Sequence, residues 1–477
     1  MNLTWSAEGV REMGQVALET VISYYESLAA GRAVLQPTTS VALRGRLEEP
    51  LPQEGTDFKK ALGMLTETAV EFSRHSAHPR FFGYVSSPGN AVNAMGSMVA
   101  SALNINVTGW RSAPVGTEIE RLTIRWLQEM IGFPTSAGGL LVSGGSMANF
   151  AGLAAARSAK APGDVVRDGL GGAQMRLYVS EEGHFSVRKA AAMLGIGTAN
   201  VRSVRTNDRQ QMDLEDLARR LREDRAAGYL PFCVVAAAGT VASGAVDPIA
   251  AIAKFARAEN LWLHVDGAYG GFAALAPGAR QLFEGIAEAD SVALDPHKWL
   301  YLPMGSGCVL YRDPETARAT FSANAEYTRV MGLEHDEAFV FWDYGPELSR
   351  PFRALDLWLL VKTVGARALG EAIAENIACA KYFEELVRGT DDFEMLAPVE
   401  LSIFCFRYRP RGFAGNLDTL NESTMLALQR AGSSYVSNAR IAGKFALRGC
   451  VLNYRTTRRD MEVLLEDVRR AAGSVRI

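Results

Sequence analysis

The stretch Leu261-Trp262-Leu263-His264-Val265-Asp266-Gly267-Ala268-Tyr269-Gly270-Gly271 is an apolar run that stops at a carboxylate and a glycine-rich turn. A second stretch has the same form: Ser291-Val292-Ala293-Leu294 runs into Asp295-Pro296-His297-Lys298-Trp299. Short apolar runs bounded in this way read as buried strands whose polar ends reach a surface. Outward from this pair the rhythm repeats. Strands are predicted at 139–142, 176–180, 201–205, 232–236, 261–265, 291–294 and 307–311. Helices are predicted at 116–130, from 145 to about 158, at 214–227 and at 248–259. Strand–helix alternation predicts an α/β fold with a mostly parallel central sheet. Ligands of such sheets sit at the carboxyl ends of the strands.

The flanks read differently. Residues 1–90 form an N-terminal helical arm, with helical patterns in the first 30 residues and over 58–75 and loop character over 36–53. Two helices joined by a loop cannot bury their apolar stripes alone, so the arm is expected to pack on another domain or subunit. Residues 91–352 are assigned to the large α/β domain. A small C-terminal α+β domain, 353–477, opens with one long helix to about 380. Strands at 393–396, 402–408 and 447–454 and helices at 417–431 and 459–472 complete it.

The 477 residues carry 50 Lys+Arg against 53 Asp+Glu without a long basic run. A nucleic-acid partner therefore has no electrostatic footprint. With 48% hydrophobic and 22% charged residues, disordered and fibrous classes are excluded. Cys233, Cys308, Cys379, Cys405 and Cys450 are scattered, which gives no CxxC pair and fits a reducing compartment. Residues 84–110 hold no Asp, Glu, Lys or Arg, yet Ser86, Ser87, Asn90, Asn93, Asn104 and Asn106 interrupt them. Backbone buried against protein is expected there, not a membrane helix. The first residues lack the basic start and apolar stretch of a secretory signal. A cytoplasmic protein with no membrane partner is expected.

Four features carry chemistry. Val142-Ser143-Gly144-Gly145-Ser146-Met147-Ala148-Asn149 is a strand running through a glycine turn into a helix, where backbone N–H groups bind phosphate; alone it is equally an ordinary turn. Asp266 ends an apolar strand, a costly place for an unpaired carboxylate, although a helix cap would look the same. Lys298 beside His297 and Trp299 suits an imine-forming amine, or a surface loop. His184, in Glu182-Gly183-His184-Phe185-Ser186, is one of six histidines and is a stacking, acid–base or structural group. Phosphate turn, stacking ring, buried anion and lysine, each at a strand end, are together the requirements of pyridoxal 5′-phosphate (PLP).

The sequence resembles the group II PLP-dependent amino-acid decarboxylases, the family of aromatic-L-amino-acid decarboxylase. The resemblance runs essentially end to end. It rests on His78-Pro79-Arg80-Phe81-Phe82, Trp110 with Ser112-Ala113-Pro114, Thr117-Glu118-Ile119-Glu120, Leu263-His264-Val265-Asp266, Pro296-His297-Lys298-Trp299 and Arg350-Pro351-Phe352-Arg353. It implies the PLP-dependent aminotransferase-like fold (fold type I) and a homodimer with the active site at its interface. It implies Lys298 as the Schiff-base lysine, Asp266 at the pyridinium, and His184 and Ala268 on opposite ring faces. Ser146, Met147, Ala148, Ser291 and His297 would contact the phosphate, and Thr240 would lie near the ring hydroxyl or Asp266. Tyr327 matches the tyrosine of a mobile lid, about 322–340, that protonates the substrate carbon after CO2 leaves.

The substrate pocket departs from the animal enzyme. Asn106 and Thr108, expected from the partner subunit, replace an Ile and a Phe. Ser86 and Ser87 replace Pro and Thr, and Met304 replaces a Phe. Asp295 stands where many relatives have Asn near the phosphate. Trp299 and Phe81 remain as apolar walls, and Ser349 matches a position that is often Ser in plant tyrosine-type enzymes. The reading is decarboxylation of an L-amino acid, aromatic by preference, to its amine and CO2. The alternatives are a small aliphatic or acidic substrate, an aldehyde synthase, an aminotransferase using Arg448 or Arg455, and a non-catalytic relative.

Overall fold

Seven strands form the central sheet: β1 (Gly138–Val142), β2 (Met175–Ser180), β3 (Val201–Val204), β4 (Leu230–Ala237), β5 (Trp262–Gly267), β6 (Ser291–Leu294) and β7 (Gly307–Tyr311). The computed structural model describes residues 4–322 and 337–475. The sheet order is β1-β7-β6-β5-β4-β2-β3. The pairs β2/β3, β2/β4, β4/β5 and β5/β6 are parallel, while β7 runs against both of its neighbours, β1 and β6. Hence β1, β2, β4, β5 and β6 point the same way, and their carboxyl ends share one edge of the sheet. The inner strands are continuous apolar runs because helices cover both faces. Phe232 to Ala237 are buried throughout, and so are Ser291 to Leu294.

A second sheet is antiparallel throughout. It is built from β8 (Phe393–Met395), β9 (Ile403–Tyr408), β10 (Ser437–Ile441) and β11 (Lys444–Cys450) in the order β10-β11-β9-β8. Helices Ala366–Arg388, Leu417–Ala431 and Arg458–Gly473 pack on it around Phe383, Phe404, Phe406, Leu428 and Leu464. The segment after His78 is fastened here. Phe82 N–H donates to the Tyr435 carbonyl at 2.8 Å, and Cys450 N–H donates to that of Phe82 at 2.9 Å. Asn453 Nδ2 donates to the His78 carbonyl at 3.0 Å, and Thr456 Oγ1 to that of Pro79 at 2.6 Å. The Phe82 ring lies in the core of this second sheet.

Three elements differ from the sequence expectation. The stretch 36–53 contains a helix, Ser40–Leu47, capped by Thr39, whose Oγ1 accepts from Ala42 N–H at 3.1 Å. None of its residues is buried, so no apolar period marked it. The long helix expected from 353 is two, Arg353–Val364 and Ala366–Arg388. They part at Gly365, whose φ of 84° is open to glycine at little cost. β10 was not expected. It pairs with β11 through a two-residue turn at Ala442 and Gly443, both with positive φ. That turn type usually shows itself as Asn-Gly or Asp-Gly.

The uncharged stretch 84–110 forms the helix Ala91–Leu103. Asn93 Nδ2 donates to the Asp356 carbonyl at 2.7 Å, which ties this helix to Arg353–Val364. Met98, Val99 and Leu103 remain exposed on it, so burial is one-sided within the chain. Among the described residues, no helix is long and apolar enough to cross a membrane.

Arg350 locks the sheet edge to the chain that follows residue 337. It is fully buried and ion-paired with Glu120, and its Nη1 and Nη2 donate to the carbonyls of Val107 and Leu141 at 2.7 and 2.8 Å. Its guanidinium also lies 4.3 Å from the Phe341 ring centre. Arg350→Met strands the Glu120 carboxylate in the interior and is expected to cost about 3–5 kcal/mol in urea unfolding of the purified protein. Replacing Glu120 by Gln as well should restore part of that loss.

Candidate active site

Five strand ends converge on a cavity of about 400 Å³. Behind β1, the turn Ser143-Gly144-Gly145-Ser146 opens the helix Gly145–Lys160. The N–H groups of Met147 and Ala148 bond back to the Gly144 carbonyl at 2.9 and 3.0 Å. The first amides of the helix, those of Gly145 and Ser146, have no preceding carbonyl to bond and are the donors such a turn offers to an anion. A Cβ at Gly145 would stand 2.6 Å from Asp295 Oδ2 and 2.8 Å from Ala268 Cβ, so a side chain does not fit here.

Asp266 ends β5, one wall of the cavity, and is anchored from beneath. Asn149 Nδ2 donates to Asp266 Oδ2 at 2.9 Å, and Ala268 N–H donates to Oδ1 at 3.2 Å. The same Asn149 Nδ2 donates to Ser186 Oγ at 2.9 Å. With its nitrogen committed to the carboxylate, Asn149 must accept at Oδ1, and His264 Nε2 lies 2.9 Å away. The His264 proton is therefore on Nε2, and Nδ1 accepts from Ser291 Oγ at 2.8 Å. Trp262 Nε1 donates to that same Ser291 Oγ at 2.8 Å. Burial pushes His264 down to about 4, which keeps it neutral in this role.

His184 follows β2 and caps the helix Phe185–Met193 through Ser186 N–H. Its Nδ1 lies 2.6 Å from Ser186 Oγ and accepts, which leaves the Nε2 proton for the cavity. Burial, its largest influence, lowers its pKa from the ordinary histidine value. Lys298 sits in the short helix Pro296–Trp299 after β6, with Nζ 2.9 Å from Asp295 Oδ2. His297 Nδ1 donates to the Ser306 carbonyl at 2.8 Å, which orients its ring beside Gly144.

Lys298, Asp266, His184, Ala268, Thr240, Ser146, Met147 and His297 thus line one cavity. Thr240 turns its hydroxyl into its own loop, 3.0 Å from Ser243 Oγ and 3.1 Å from Ala245 N–H. Two cofactor expectations are corrected. Ala148 is fully buried and its N–H is taken by Gly144. Ser291 begins β6, at the far end from the cavity, and its hydroxyl serves His264 and Trp262.

Of the eight expected pocket residues, Met304 lines the cavity. Trp299 lies beneath it, stacked 5.0 Å from Tyr269 and donating to Asn376 Oδ1 at 3.2 Å. Phe81 stacks on Tyr435 at 5.3 Å. Ser87 Oγ donates to the His297 carbonyl at 2.8 Å, just behind the wall, and Ser86 is half-buried next to it. Asn106, Thr108 and Ser349 lie off the cavity, and Asn106 Oδ1 accepts from Arg350 N–H at 2.8 Å. Tyr327 and most of the expected lid lie outside the described residues. Asn149, Val85, Phe185 and Val241 line the cavity without having been expected. For Asn149 a signal existed: it is an amide set between Ala148 and Phe150 in the apolar middle of a helix.

The family model of the pyridoxal-dependent decarboxylase conserved domain matches residues 41–409. The chain belongs to the pyridoxal-dependent decarboxylase family. It is 36% identical to an aromatic-L-amino-acid decarboxylase of Bacillus atrophaeus, over 100% of this chain and 98% of that one. It is 29% identical to a 4-hydroxyphenylacetaldehyde synthase of Rhodiola rosea, over 97% and 94%. A crystal structure of an Oryza sativa TDC with PLP and tryptamine matches with a TM-score of 0.93 at 30% identity, covering 99% of both chains. The decarboxylase has fold type I and is PLP-dependent. Its cavity fits that cofactor: a turn that excludes a side chain, an anchored carboxylate, an imidazole and a lysine amine. Asn149→Ala leaves Asp266 and His264 short of a partner each. It should lower stability by about 1–3 kcal/mol and weaken PLP binding, read by fluorescence titration of the cofactor-free protein.

Proposed function

We propose that the decarboxylase converts an aromatic L-amino acid to its amine and CO2, as a homodimer in the cytoplasm. The observation that carries the reaction is the placement of Lys298 and the anchored Asp266 around one cavity behind a glycine turn. Bound PLP supplies an electron sink for the charge that CO2 leaves on the α-carbon. Lys298 is the amine that holds it covalently, Asp266 the anion for its ring nitrogen, and the Gly145 and Ser146 amides, with His297, the cradle for its phosphate. His184 presents its Nε2 proton on the ring side. Tyr327 delivers the proton to the α-carbon.

The wall supports an aromatic side chain. Val85, Phe185, Val241 and Met304 are apolar, and among the described residues no arginine lines the cavity to meet an acidic side chain. Aminotransferase chemistry is less well served. Arg448 donates from Nε and Nη1 to the carbonyls of Val241 and Tyr84, both at 2.9 Å. Arg455 lies over the rings of Tyr25 and Tyr454. The homodimer rests on the arm. Helices Ala7–Ala29 and Phe58–Phe72 expose Val10, Leu18, Ile22, Met64 and Leu65 beside a groove of about 900 Å³.

A panel of L-amino acids with purified holoenzyme tests this reading, with amine, CO2, aldehyde and keto acid all quantified. Equal amine and CO2 from an aromatic substrate is the expected result. Keto acid, or aldehyde without amine, would reject it. Lys298→Ala should remove the visible absorbance of the bound cofactor and drop turnover by several orders of magnitude. Tyr327→Phe should divert product from amine to aldehyde and ammonia, with dioxygen consumed and peroxide released. If that variant makes amine alone at the wild-type rate, Tyr327 is not the proton donor.

A further inference from the structure

Asp295 is 2% exposed and stands inside the turn assigned to the phosphate. Its Oδ2 holds the Lys298 ammonium at 2.9 Å and lies 3.7 Å from His297 Nε2. It crowds Gly145, where a Cβ would come within 2.6 Å of Oδ2. Its Oδ1 is buried without a hydrogen-bond partner and faces Gly144, 3.8 Å from where a Cβ would stand. A buried carboxylate with one oxygen unpaired is costly, and a phosphate in the same turn would bring a second anion to it.

We propose that Asp295 is a positioning residue that limits how tightly this decarboxylase retains its cofactor. In the cofactor-free site it pairs with Lys298 at 2.9 Å, a contact that is given up when the amine bonds the cofactor. In the loaded site that partner is taken by the cofactor, and the carboxylate is left beside the phosphate. Both effects favour the empty form. The consequence is an enzyme whose occupancy follows the supply of PLP, with loading and release as a means of setting activity. This inference rests on the phosphate occupying the turn at Gly144 to Met147.

The test is equilibrium binding to cofactor-free protein, followed by quenching of tryptophan fluorescence. PLP is compared with pyridoxal, which has the aldehyde and the ring but no phosphate. Asp295→Asn should bind PLP about tenfold more tightly or better, the order expected for removing a like charge at near-contact range, and should release it more slowly. Pyridoxal should gain distinctly less, because for it only the ion pair with Lys298 is removed. Asp295→Ser, checked like the first variant by circular dichroism, should behave in the same direction. Unchanged or weaker PLP binding in folded variants, or an equal gain for both ligands, overturns the proposal. His297→Ala, which removes the one side chain of the phosphate cradle, separates it from the reading beneath. That variant should lose affinity for PLP and keep it for pyridoxal. If it loses neither, the phosphate is held elsewhere, and the assignment of the turn has failed.

Discussion

Asn149 is the residue on which the site is assembled. One amide, buried in the second turn of the helix behind β1, bonds the carboxylate that ends β5, the imidazole two residues earlier on the same strand, and the hydroxyl that orients His184. The helix, the strand β5 and the first turn of the helix Phe185–Met193 are thereby held in one register. The directions are forced. Asp266 can only accept, so the Asn149 nitrogen must point to it, and the remaining donors and acceptors follow in sequence to Trp262 at one end and His184 at the other. A fully satisfied buried network of this kind fixes geometry more than it adds stability. Fixed geometry is what a carboxylate needs if it is to meet a ring nitrogen at a set position.

The sheet supplies the second constraint. With β7 reversed between β1 and β6, the glycine turn and the Lys298 turn come from strands that point the same way without being hydrogen-bonded to each other. The gap left beyond their ends is bridged by glycine. A Cβ at Gly307, at the start of β7, would lie 2.5 Å from the Gly144 backbone. Main chain packed on main chain, with no room for a Cβ between, is what lets the turn close over an anion. The small side chains around it, Ala268 and Ala148, belong to the same close approach.

Most of this was legible in the sequence because the strands are buried on both faces. Their apolar runs stop where the polar site begins, so Asp266, Lys298 and His184 were marked by contrast with what precedes them. Ser291 carried no such contrast. It lies at the opposite end of its strand from Asp295, and a resemblance placed it at the phosphate where the geometry places it beneath His264. Trp299 reads as a wall because it follows the lysine, yet a helix turn points it down onto Tyr269. The pocket itself was the least legible part. Val85 and Val241 come from two separate loops and Phe185 from the start of a helix, and they share no period or motif. β10 escaped because Ala-Gly is a weak hairpin signal, and the helix at Ser40 because it buries nothing.

The fastening of His78 to Phe82 onto the second sheet has a consequence for the order in which the protein is made. Thr456 and the Pro79 carbonyl it binds are 377 residues apart. A ribosome adding roughly 5–20 residues each second presents the arm long before its seat exists. β11, which completes that seat, leaves the exit tunnel after the whole seven-stranded sheet. The seven-stranded sheet is already on offer by then, since its strands end at Tyr311. The segment from His78 to Phe82 is therefore made well before the strands it is fastened to. Until β11 and the loop after it emerge, Phe81 and Phe82 have no seat in the second domain to cover them.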